Sequence, residues 1–487
     1  MDLRLFTALS ILVIAAGIPV IGAAICGAIV LVQIALFALR PLVACLPVHP
    51  SRVARNSVAP WFSVHVATHC EPPQLVIATL RALLTQHCPT GGYEIIVMDN
   101  NPADPALWKP VERFCAGHAG RIKFLHRTGV RGAKAGALNI ALAHTDPRAT
   151  HIVTVDADYI VSKNFLTHAA AALARTAADY VQFPQAYNGT ASAAPGVDAE
   201  LEEYFRTNAA SADDTEAVLL TGTLCVISRT ALIAAGGWSG ATTTEDAELG
   251  VRLCNAGFSG RFINQVVGEG LLPLSLRELE RQRYRWCSGN AQTLMRHARL
   301  VFGPAGSLTL AKRLAILSQL TAWFNLAMVP CLLLSALLVT GQGHTVPAVL
   351  AGVAIVLSLC DIVARVLARS CRDRLPPGVA LSALACRIAL APQSAKATFD
   401  ALTGCRLKFL VTDKTGGNRP ALSALPLCPL LIFIIAVLLF AIAQPADPIV
   451  LTALAALMLP LPAAVLTSTS LRAYRGAVSA PAQGAAA

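Results

Sequence analysis

Long apolar stretches of this 487-residue chain lie on both sides of a central part with ordinary composition. Residues 5–39 contain no charged side chain. One membrane span needs about 20 apolar residues, so this stretch predicts two short spans that turn near Gly17–Pro19 or Gly22. The same apolar pattern predicts four further spans, over Leu314–Thr340, Val346–Ala364, Ala424–Ala443 and Ile449–Thr467.

Between the second and third predicted spans, strand-like apolar runs alternate with helical patterns. This alternation predicts an α/β domain on a mostly parallel sheet, and such sheets bind ligands at the carboxyl ends of their strands. The predicted strands are Trp61–Ala67, Tyr93–Met98, Ile122–His126, His151–Val155, Tyr180–Phe183 and Val218–Ile227, and the predicted helices include Pro73–Gln86, Ala133–Ala143 and Glu245–Asn255.

Composition and charge also indicate a membrane protein. Charged residues make up 14% of the chain, against about 25% in soluble domains, which excludes a purely soluble protein and a mainly disordered one. The predicted turns Gly341–Pro347 and Gln444–Pro448 contain no Lys or Arg. The positive-inside rule therefore places both termini and the central domain in the cytoplasm. This placement accounts for the net charge of +11, and no nucleic-acid partner is expected. None of the 14 cysteines forms a Cys-x-x-Cys pair, so zinc-ribbon and redox-pair sites lack support.

Acidic residues follow two of the predicted strands. Asp99 closes one of them, and Asp156 and Asp158 close another. Two carboxylates at i and i+2 on an irregular strand exit can reach one divalent ion, and such hard oxygen ligands suit Mg²⁺ or Mn²⁺. The alternative is a solvated turn. Phosphate-loop sequences of ATPases and dinucleotide-binding proteins are absent, so neither activity has support.

Two more motifs follow along the chain. Thr244-Glu245-Asp246 opens a predicted helix, where acidic residues can also be simple caps. Gln282-Arg-Tyr-Arg285-Trp286 lies on a basic segment. The alternative interpretation of this segment is an interfacial helix whose arginines face lipid headgroups. Asp361 is predicted to form an ion pair with Arg365, one helical turn away.

The order of these motifs is more specific than any single one. A lone Asp, Asp-x-Asp, Thr-Glu-Asp and Gln-x-x-Arg-Trp, in an α/β domain flanked by spans, resemble the membrane-embedded family 2 processive glycosyltransferases. This family includes cellulose synthase, related β-glucan synthases, hyaluronan synthase and chitin synthase. The resemblance covers about residues 60–420. It includes Ala133-Lys-Ala-Gly-Ala-Leu-Asn139 and Phe409-Leu-Val-Thr-Asp-Lys414, which is similar to the gating loop of bacterial cellulose synthase.

The resemblance implies a GT-A-type (Rossmann-like) α/β glycosyltransferase domain inserted between transmembrane helices, with two spans before it and four after it. The implied location is the bacterial inner membrane. The implied order is two N-terminal spans (1–45), a cytosolic domain with an interfacial helix (58–300), spans three and four (312–368), cytosolic interfacial helices and gating loop (369–423), spans five and six (424–470) and a short cytosolic tail (471–487).

Matched positions imply roles for individual residues. Asp246 is the general base, and Asp156 and Asp158 bind the donor diphosphate through Mg²⁺ or Mn²⁺. The nucleotide-binding residues are Glu71, Asp99, Lys134, Gln282 and Arg285, the acceptor-binding residues are Trp286 and Thr221, and the loop that closes over the donor contains Phe409, Val411, Thr412 and Lys414.

The implied activity is processive and inverting: a β-glucan is polymerised from UDP-glucose on the cytoplasmic side and translocated across the bilayer. Two alternatives stay open, transfer of one sugar to a lipid carrier and processive synthesis from UDP-N-acetylglucosamine. A transporter with a cytosolic regulatory domain would leave the carboxylates unexplained. Leu220-Thr-Gly-Thr223 departs from the Phe-Cys-Gly-Ser acceptor segment of cellulose synthase, so the linkage is open between 1,3 and 1,4. Trp323 and Asn325 either line a glycan channel or pack as ordinary span residues. Accessory export proteins are not specified.

Overall fold

The computed structural model describes residues 3–46, 59–87, 91–100, 104–187, 193–304, 308–404, 427–443 and 447–479. Its first two helices are α1 (Leu3–Gly17) and α2 (Pro19–Ala44), separated at Ile18. Ile18 has an extended backbone, with φ −122° and ψ 99°. Proline has no backbone N–H and therefore suits the first position of a new helix. The break falls at the turn predicted near Gly17–Pro19.

The central part contains ten short strands among the described residues. They are β1 (Phe62–Thr68), β2 (Tyr93–Asp99), β3 (Ile122–His126), β4 (His151–Thr154), β5 (Ile160–Val161), β6 (Tyr180–Gln182), β7 (Ala186–Tyr187), β8 (Cys225–Ser228), β9 (Gly260–Phe262) and β10 (Gly268–Gly270). Helices between and after them are α3 (Pro73–Leu84), α4 (Pro105–Ala116), α5 (Ala133–Ala143), α6 (Phe165–Thr176), α7 (Pro195–Glu203), α8 (Ala210–Asp213), α9 (Arg229–Ala234), α10 (Glu245–Asn255), α11 (Leu276–Arg296) and α12 (Ala298–Phe302).

Seven of these strands form one sheet in the order β3-β2-β1-β4-β8-β6-β9. Only β8 runs antiparallel to its neighbours, so the prediction of a mostly parallel α/β sheet is confirmed. Alternate residues of a strand point to opposite faces, so Ile152 and Val153 enter two different hydrophobic clusters. Both faces of the sheet are therefore buried, which explains why its strands are continuously apolar.

One predicted strand is wrong over most of its length. The strand expected over Val218–Ile227 begins only at Cys225. Gly222 and Leu224 have positive φ angles of 83° and 52°, and such backbone cannot belong to a strand. Residues 218–224 instead form a buried loop that lies at the site described below.

A smaller sheet has the order β5-β10-β7. Strand β10 runs antiparallel to β5 and parallel to β7. Residues 271–274 directly follow β10, and the smaller sheet thereby holds them in place. They form one wall of the cavity that is described below as the candidate active site.

The helices that follow the central part include several that are long and apolar. They are α13 (Leu310–Leu320), α14 (Met328–Val339), α15 (Val346–Asp373), α16 (Pro377–Leu402), α17 (Leu427–Ile442), α18 (Pro448–Met458) and α19 (Pro460–Ser479). Among the described residues, four helical stretches have the length and composition to cross a membrane: Pro19–Ala44, Val346–Asp373, Pro377–Leu402 and Pro448–Ala477.

The third predicted span, Leu314–Thr340, is wrong as one continuous helix. It is divided between α13 and α14 by the irregular residues 321–327. The first half packs on the central domain, where the Gln319 side chain donates to the carbonyl of Ala217 at 2.8 Å and accepts from the amide of Leu219 at 2.8 Å. Helix α14 has 12 residues and is about 18 Å long, short of the roughly 30 Å of a bilayer core.

Helix α16 lies in the segment predicted to be cytosolic and interfacial. It is the least apolar of the four long stretches and packs against α7, α11 and α19. Its Arg387 is buried and forms an ion pair with Glu203 at 2.8 Å. These contacts agree with an interfacial helix although its length would suffice for a span. The count of six spans stays a prediction.

Candidate active site

The site lies where three parallel strands end at the same edge of the sheet. Thr68, the last residue of β1, pairs in register with Asp99, the last residue of β2. Strand β4 ends at Thr154 on the other side of β1. Asp156 and Asp158 follow two and four residues later, and both line one cavity together with Lys134 and Asp246.

Lys134 lies in the first turn of α5, which starts after Gly132 with a left-handed φ of 84°. Its ammonium group donates to Asp156 Oδ1 at 2.5 Å and to the carbonyl of Gly222 at 3.0 Å. Burial lowers the pKa of Lys134, but the nearby carboxylates, Asp156 first, raise it, and the net shift is upward. Lys134 is therefore a fixed positive charge beside the Asp-x-Asp pair.

Asp246 lies in the first turn of α10 and faces Gly222. A Cβ atom at Gly222 would lie 2.7 Å from Asp246 Oδ2, so glycine is required for this approach. Burial, and then the charge of Glu245, raise the pKa of Asp246 to about 7, against the opposing effects of Lys134 and Arg285. A carboxylate with a pKa near neutrality can accept a proton efficiently at physiological pH.

Gln282, Arg285 and Trp286 share one face of α11 because they are three and four residues apart. All three line the cavity that contains Asp246. The Thr243 hydroxyl donates to the carbonyl of Arg285 at 3.2 Å and so connects α11 to the residues before α10. Within the described part of the chain, the buried Oε1 of Gln282 has no hydrogen-bond partner. A polar ligand in the cavity would satisfy it.

A second cavity adjoins the first and shares Lys134, Asp156, Asp158 and Arg285 with it. Glu71 and the end of β1 line this second cavity, and the nucleotide-binding role of Glu71 stays a prediction.

Asp99 is held by neighbouring side chains beside the site, and its nucleotide-binding role stays a prediction. It is 3% exposed, and its side chain accepts from the Thr68 hydroxyl at 2.6 Å and lies 2.7 Å from His126 Nδ1. Asp99 is not among the described residues that line either cavity. Asp99 therefore supports Thr68, which does line the second cavity.

A third cavity lies beside Asp246 and reaches Trp323, between α13 and α14. Thr221, Asp246 and Trp286 line it, together with Tyr204 and Trp323. The Trp323 ring lies 5.8 Å from the ring of Trp286 and 5.8 Å from that of Tyr204, with which it is stacked. These three rings form an aromatic wall of the third cavity.

Several lining residues were not predicted from the sequence. Tyr204 begins a six-residue π-helix, Tyr204–Ala209, a feature that is common at functional sites but has no local sequence signature. Gln185 follows β6 and lines the first and third cavities. Its position after a strand was the only signal that could have identified it. The predicted gating-loop residues Phe409, Val411, Thr412 and Lys414 lie outside the described residues.

The donor set of the site fits a Mg²⁺ or Mn²⁺ ion held jointly with a diphosphate. Asp156 and Asp158 supply hard oxygen ligands at the edge of the cavity. The part of the chain that is described contains no cluster of three or more His, Cys, Asp or Glu side chains suited to a metal. Magnesium is commonly bound by one or two carboxylates plus substrate phosphates, so a site with two carboxylates suits an ion that arrives with its substrate.

Comparisons with known proteins identify family domains in this chain. Residues 63–235 match the family described as glycosyl transferase family 2, and residues 151–358 match glycosyl transferase family group 2. A cellulose synthase catalytic subunit (UDP-forming) from Xanthomonas axonopodis pv. citri is 29% identical over 240 residues, which are 48% of this chain and 32% of the relative. Probable glucomannan 4-beta-mannosyltransferase 7 from Oryza sativa subsp. japonica is 29% identical over 205 residues, 40% of this chain and 35% of the relative.

The chain thus matches about a third of the length of these relatives. Among solved structures, the mannosyltransferase PcManGT from Pyrobaculum calidifontis, in complex with GDP-Man and Mn²⁺, superposes with a TM-score of 0.55 and 18% identity, over 79% of this chain and 100% of that one. At this identity the likeness concerns the fold, which is GT-A-like as predicted. The chain therefore contains glycosyl transferase family 2 domains, and its relatives include cellulose synthases and glucomannan synthases at modest identity.

Proposed function

We propose that the protein is an inverting, processive glycosyltransferase that polymerises a β-glucan from UDP-glucose at the cytoplasmic face of a membrane and translocates the product. The observation that carries the proposal is one cavity lined by Asp246, the Asp156/Asp158 pair and the Gln282–Arg285–Trp286 face. This cavity combines a proton acceptor, ligands for a diphosphate-bound cation and an aromatic sugar platform.

Asp246 is the general base of the proposed reaction. A sugar hydroxyl is a weak nucleophile, and a positioned carboxylate takes its proton as the oxygen attacks C1 of the donor. The C1–O bond to the nucleoside diphosphate breaks as the new glycosidic bond forms. Attack from the side opposite the diphosphate inverts the configuration at C1, so an α-linked donor gives a β-linked product.

The leaving diphosphate gains negative charge as its bond to C1 breaks. Arg285 and Lys134 line both the base-containing cavity and the adjoining one. They are fixed cations where this charge develops, and preorganised charges of this kind stabilise a transition state. A divalent ion held by Asp156 and Asp158 would supply further charge neutralisation to the diphosphate.

The third cavity supports an acceptor that continues beyond Asp246. It starts at Asp246 and Thr221 and ends at Trp323, beside the irregular residues 321–327. Irregular backbone at membrane depth occurs where it is buried in protein or lines a polar cavity. An acceptor that extends from Trp286 toward Trp323 would therefore point from the base toward the apolar helices, which is the direction that export requires.

The proposed topology can be tested with thiol labels. In a variant whose exposed native cysteines are replaced by alanine, a cysteine at His344 is expected to react with a membrane-impermeant maleimide added to intact cells. His344 is exposed in the short connection between α14 and α15. A cysteine at Ser162, exposed in the central domain, is expected to react only after lysis. The reverse pattern would contradict the cytoplasmic placement of the active site.

The choice of donor is tested by comparing nucleotide sugars at equal concentration. Purified protein with Mg²⁺ or Mn²⁺ is expected to turn over UDP-glucose faster than UDP-N-acetylglucosamine. GDP-mannose belongs in the same comparison because one relative is a probable glucomannan mannosyltransferase and the similar structure holds GDP-Man. Faster turnover of GDP-mannose would indicate that the product is a mannan and not a glucan. The proposed roles of Asp246 and Arg285 would stay unchanged. Incorporation of N-acetylglucosamine but not glucose would refute the donor assignment.

A further inference from the structure

A separate cavity lies between α2, α15, α16 and residues 321–327. Trp323 lines both this cavity and the third cavity of the candidate active site. The walls of the separate cavity are largely apolar and include Ile34, Phe37 and Leu357. Ile34 and Phe37 are each 51% exposed on α2, a helix with the length and composition of a membrane span. The cavity therefore opens sideways onto a surface that would face lipid.

The charged groups of this cavity lie at one end of it. Four arginines and one aspartate line it: Arg40, Arg283, Arg365, Arg387 and Asp361.

Two of these arginines have carboxylates of their own. Arg283 pairs with Glu200 at 2.7 Å, and Arg387 pairs with Glu203 at 2.8 Å. Arg40 and Arg365, in contrast, share the single carboxylate of Asp361, which lies 3.0 Å from Arg40. The predicted pair of Asp361 with Arg365 is thus confirmed, with Arg40 as a second partner. Within the part of the chain that is described, one positive charge of this cavity therefore remains without a compensating carboxylate.

The hydrogen bonds of Arg40 and Arg365 also indicate that an anionic partner is missing. Arg40 and Arg365 are only 10% and 9% exposed. Among the described residues, neither the Nε of Arg40 nor that of Arg365 has an acceptor. Buried N–H donors normally have partners, and charged donors bind anionic oxygens best. A ligand that brings negatively charged oxygen atoms would satisfy both donors and neutralise the extra charge.

We propose that this cavity binds the phosphate headgroup of an anionic glycerophospholipid, with an acyl chain along Ile34 and Phe37. Basic pockets between spans on the cytoplasmic side of a membrane are suited to such headgroups. The proposal rests on the proposed crossing of the membrane by α2 and α15. It does not depend on the sugar donor or on the transfer reaction.

The same arginines connect the cavity to the acceptor region. Arg365 donates to the carbonyl of Ala322 at 2.7 Å, and Arg387 donates to the same oxygen at 3.2 Å. Arg283 lies 3.9 Å from the centroid of the Trp323 ring. A lipid phosphate on Arg40 and Arg365 would therefore hold the backbone that carries Trp323, at the end of the acceptor cavity.

The proposal is tested by measuring lipid binding to the full-length, delipidated protein in detergent by native mass spectrometry. We expect phosphatidylglycerol to bind at least tenfold more tightly than phosphatidylcholine, whose headgroup carries no net charge. Arg40→Gln and Arg365→Gln should each weaken phosphatidylglycerol binding at least tenfold. Arg369→Gln is the matched control, because Arg369 is a similarly buried arginine of α15 that lies outside the cavity lining, and this variant should bind like the unmodified protein.

A second variant covers the case in which an arginine substitution impairs folding. Cys360 is exposed and lines the cavity, so Cys360→Trp should obstruct it without removing an ion pair. This variant should retain UDP binding and lose the tight site for phosphatidylglycerol. Equal binding of phosphatidylcholine, unchanged binding in all three variants, or full competition by inorganic phosphate alone would overturn the lipid site. Displacement of phosphatidylglycerol by a soluble glucan oligosaccharide would assign the cavity to the glycan instead and would also overturn it.

Discussion

Asn in place of Asp246 is expected to lower kcat for sugar transfer by about two to four orders of magnitude, the usual contribution of a general base. Asn has nearly the same shape but cannot accept the proton of the acceptor hydroxyl. UDP affinity, measured by calorimetry with Mn²⁺, should change little because Lys134, Arg285 and the Asp-x-Asp pair remain. Near-normal polymer yield from Asp246→Asn would end the assignment of Asp246 as the base.

Glu245→Gln is the matched control for Asp246→Asn, since both carboxylates lie in the first turn of α10 and line the same cavity. Its kcat should stay within about tenfold of the unmodified enzyme, far above that of Asp246→Asn.

The pH dependence of transfer follows from the same residue. The base must be deprotonated, and the pKa of Asp246 is raised to about 7. The rate should therefore increase with pH up to about neutrality and then level off. The charge of Glu245 contributes to this raised pKa, so Glu245→Gln should move the acidic limb to lower pH. A large loss of activity in Glu245→Gln with none in Asp246→Asn would instead identify Glu245 as the base.

Removal of the divalent ion is the second change with a large expected effect. A chelator should abolish transfer, and Mn²⁺ or Mg²⁺ should restore it. Asp158→Asn should lower kcat/KM for the UDP-sugar by about three orders of magnitude, because stabilisation of a phosphate-bound charge by a metal is worth several kcal/mol. Asp99→Asn is the control: Asp99 is not among the described residues that line the second cavity, so this variant should lose far less activity and should need the same metal concentration for half-maximal rate. Full activity of Asp158→Asn in chelator would contradict the metal-site prediction.

Local patterns predicted the elements that carry the site. Helices α5 and α10 have the predicted bounds, and Asp156 lies beyond a buried strand as expected. These features depend on periodicity and on short motifs within a few residues. The sheet then brings Glu71 and Asp156 to one cavity because β1 and β4, the strands before them, are parallel neighbours.

Features set by long-range contacts were not predictable in the same way. The apolar run 314–340 has the composition of one span, yet Gln319 finds partners about 100 residues away in the loop before β8. The loop itself, with Gly222 against Asp246, looks like a strand in the sequence because its residues are apolar. Asp99 stands at a strand end like a ligand-binding residue, but its neighbours Thr68 and His126 engage its carboxylate first.

The central claim is that this cavity elongates a glycan from a nucleotide sugar. Purified protein given radiolabelled UDP-glucose with Mn²⁺ is expected to release UDP and to form polymer. A processive enzyme extends a few chains to great length while most acceptor molecules stay short, and we expect this product distribution. The chains should release only glucose on β-glucanase digestion, and Asp246→Asn should yield none. Labelled product confined to single-sugar adducts of a lipid would contradict polymerisation, and no UDP release with any UDP-sugar would contradict the account as a whole.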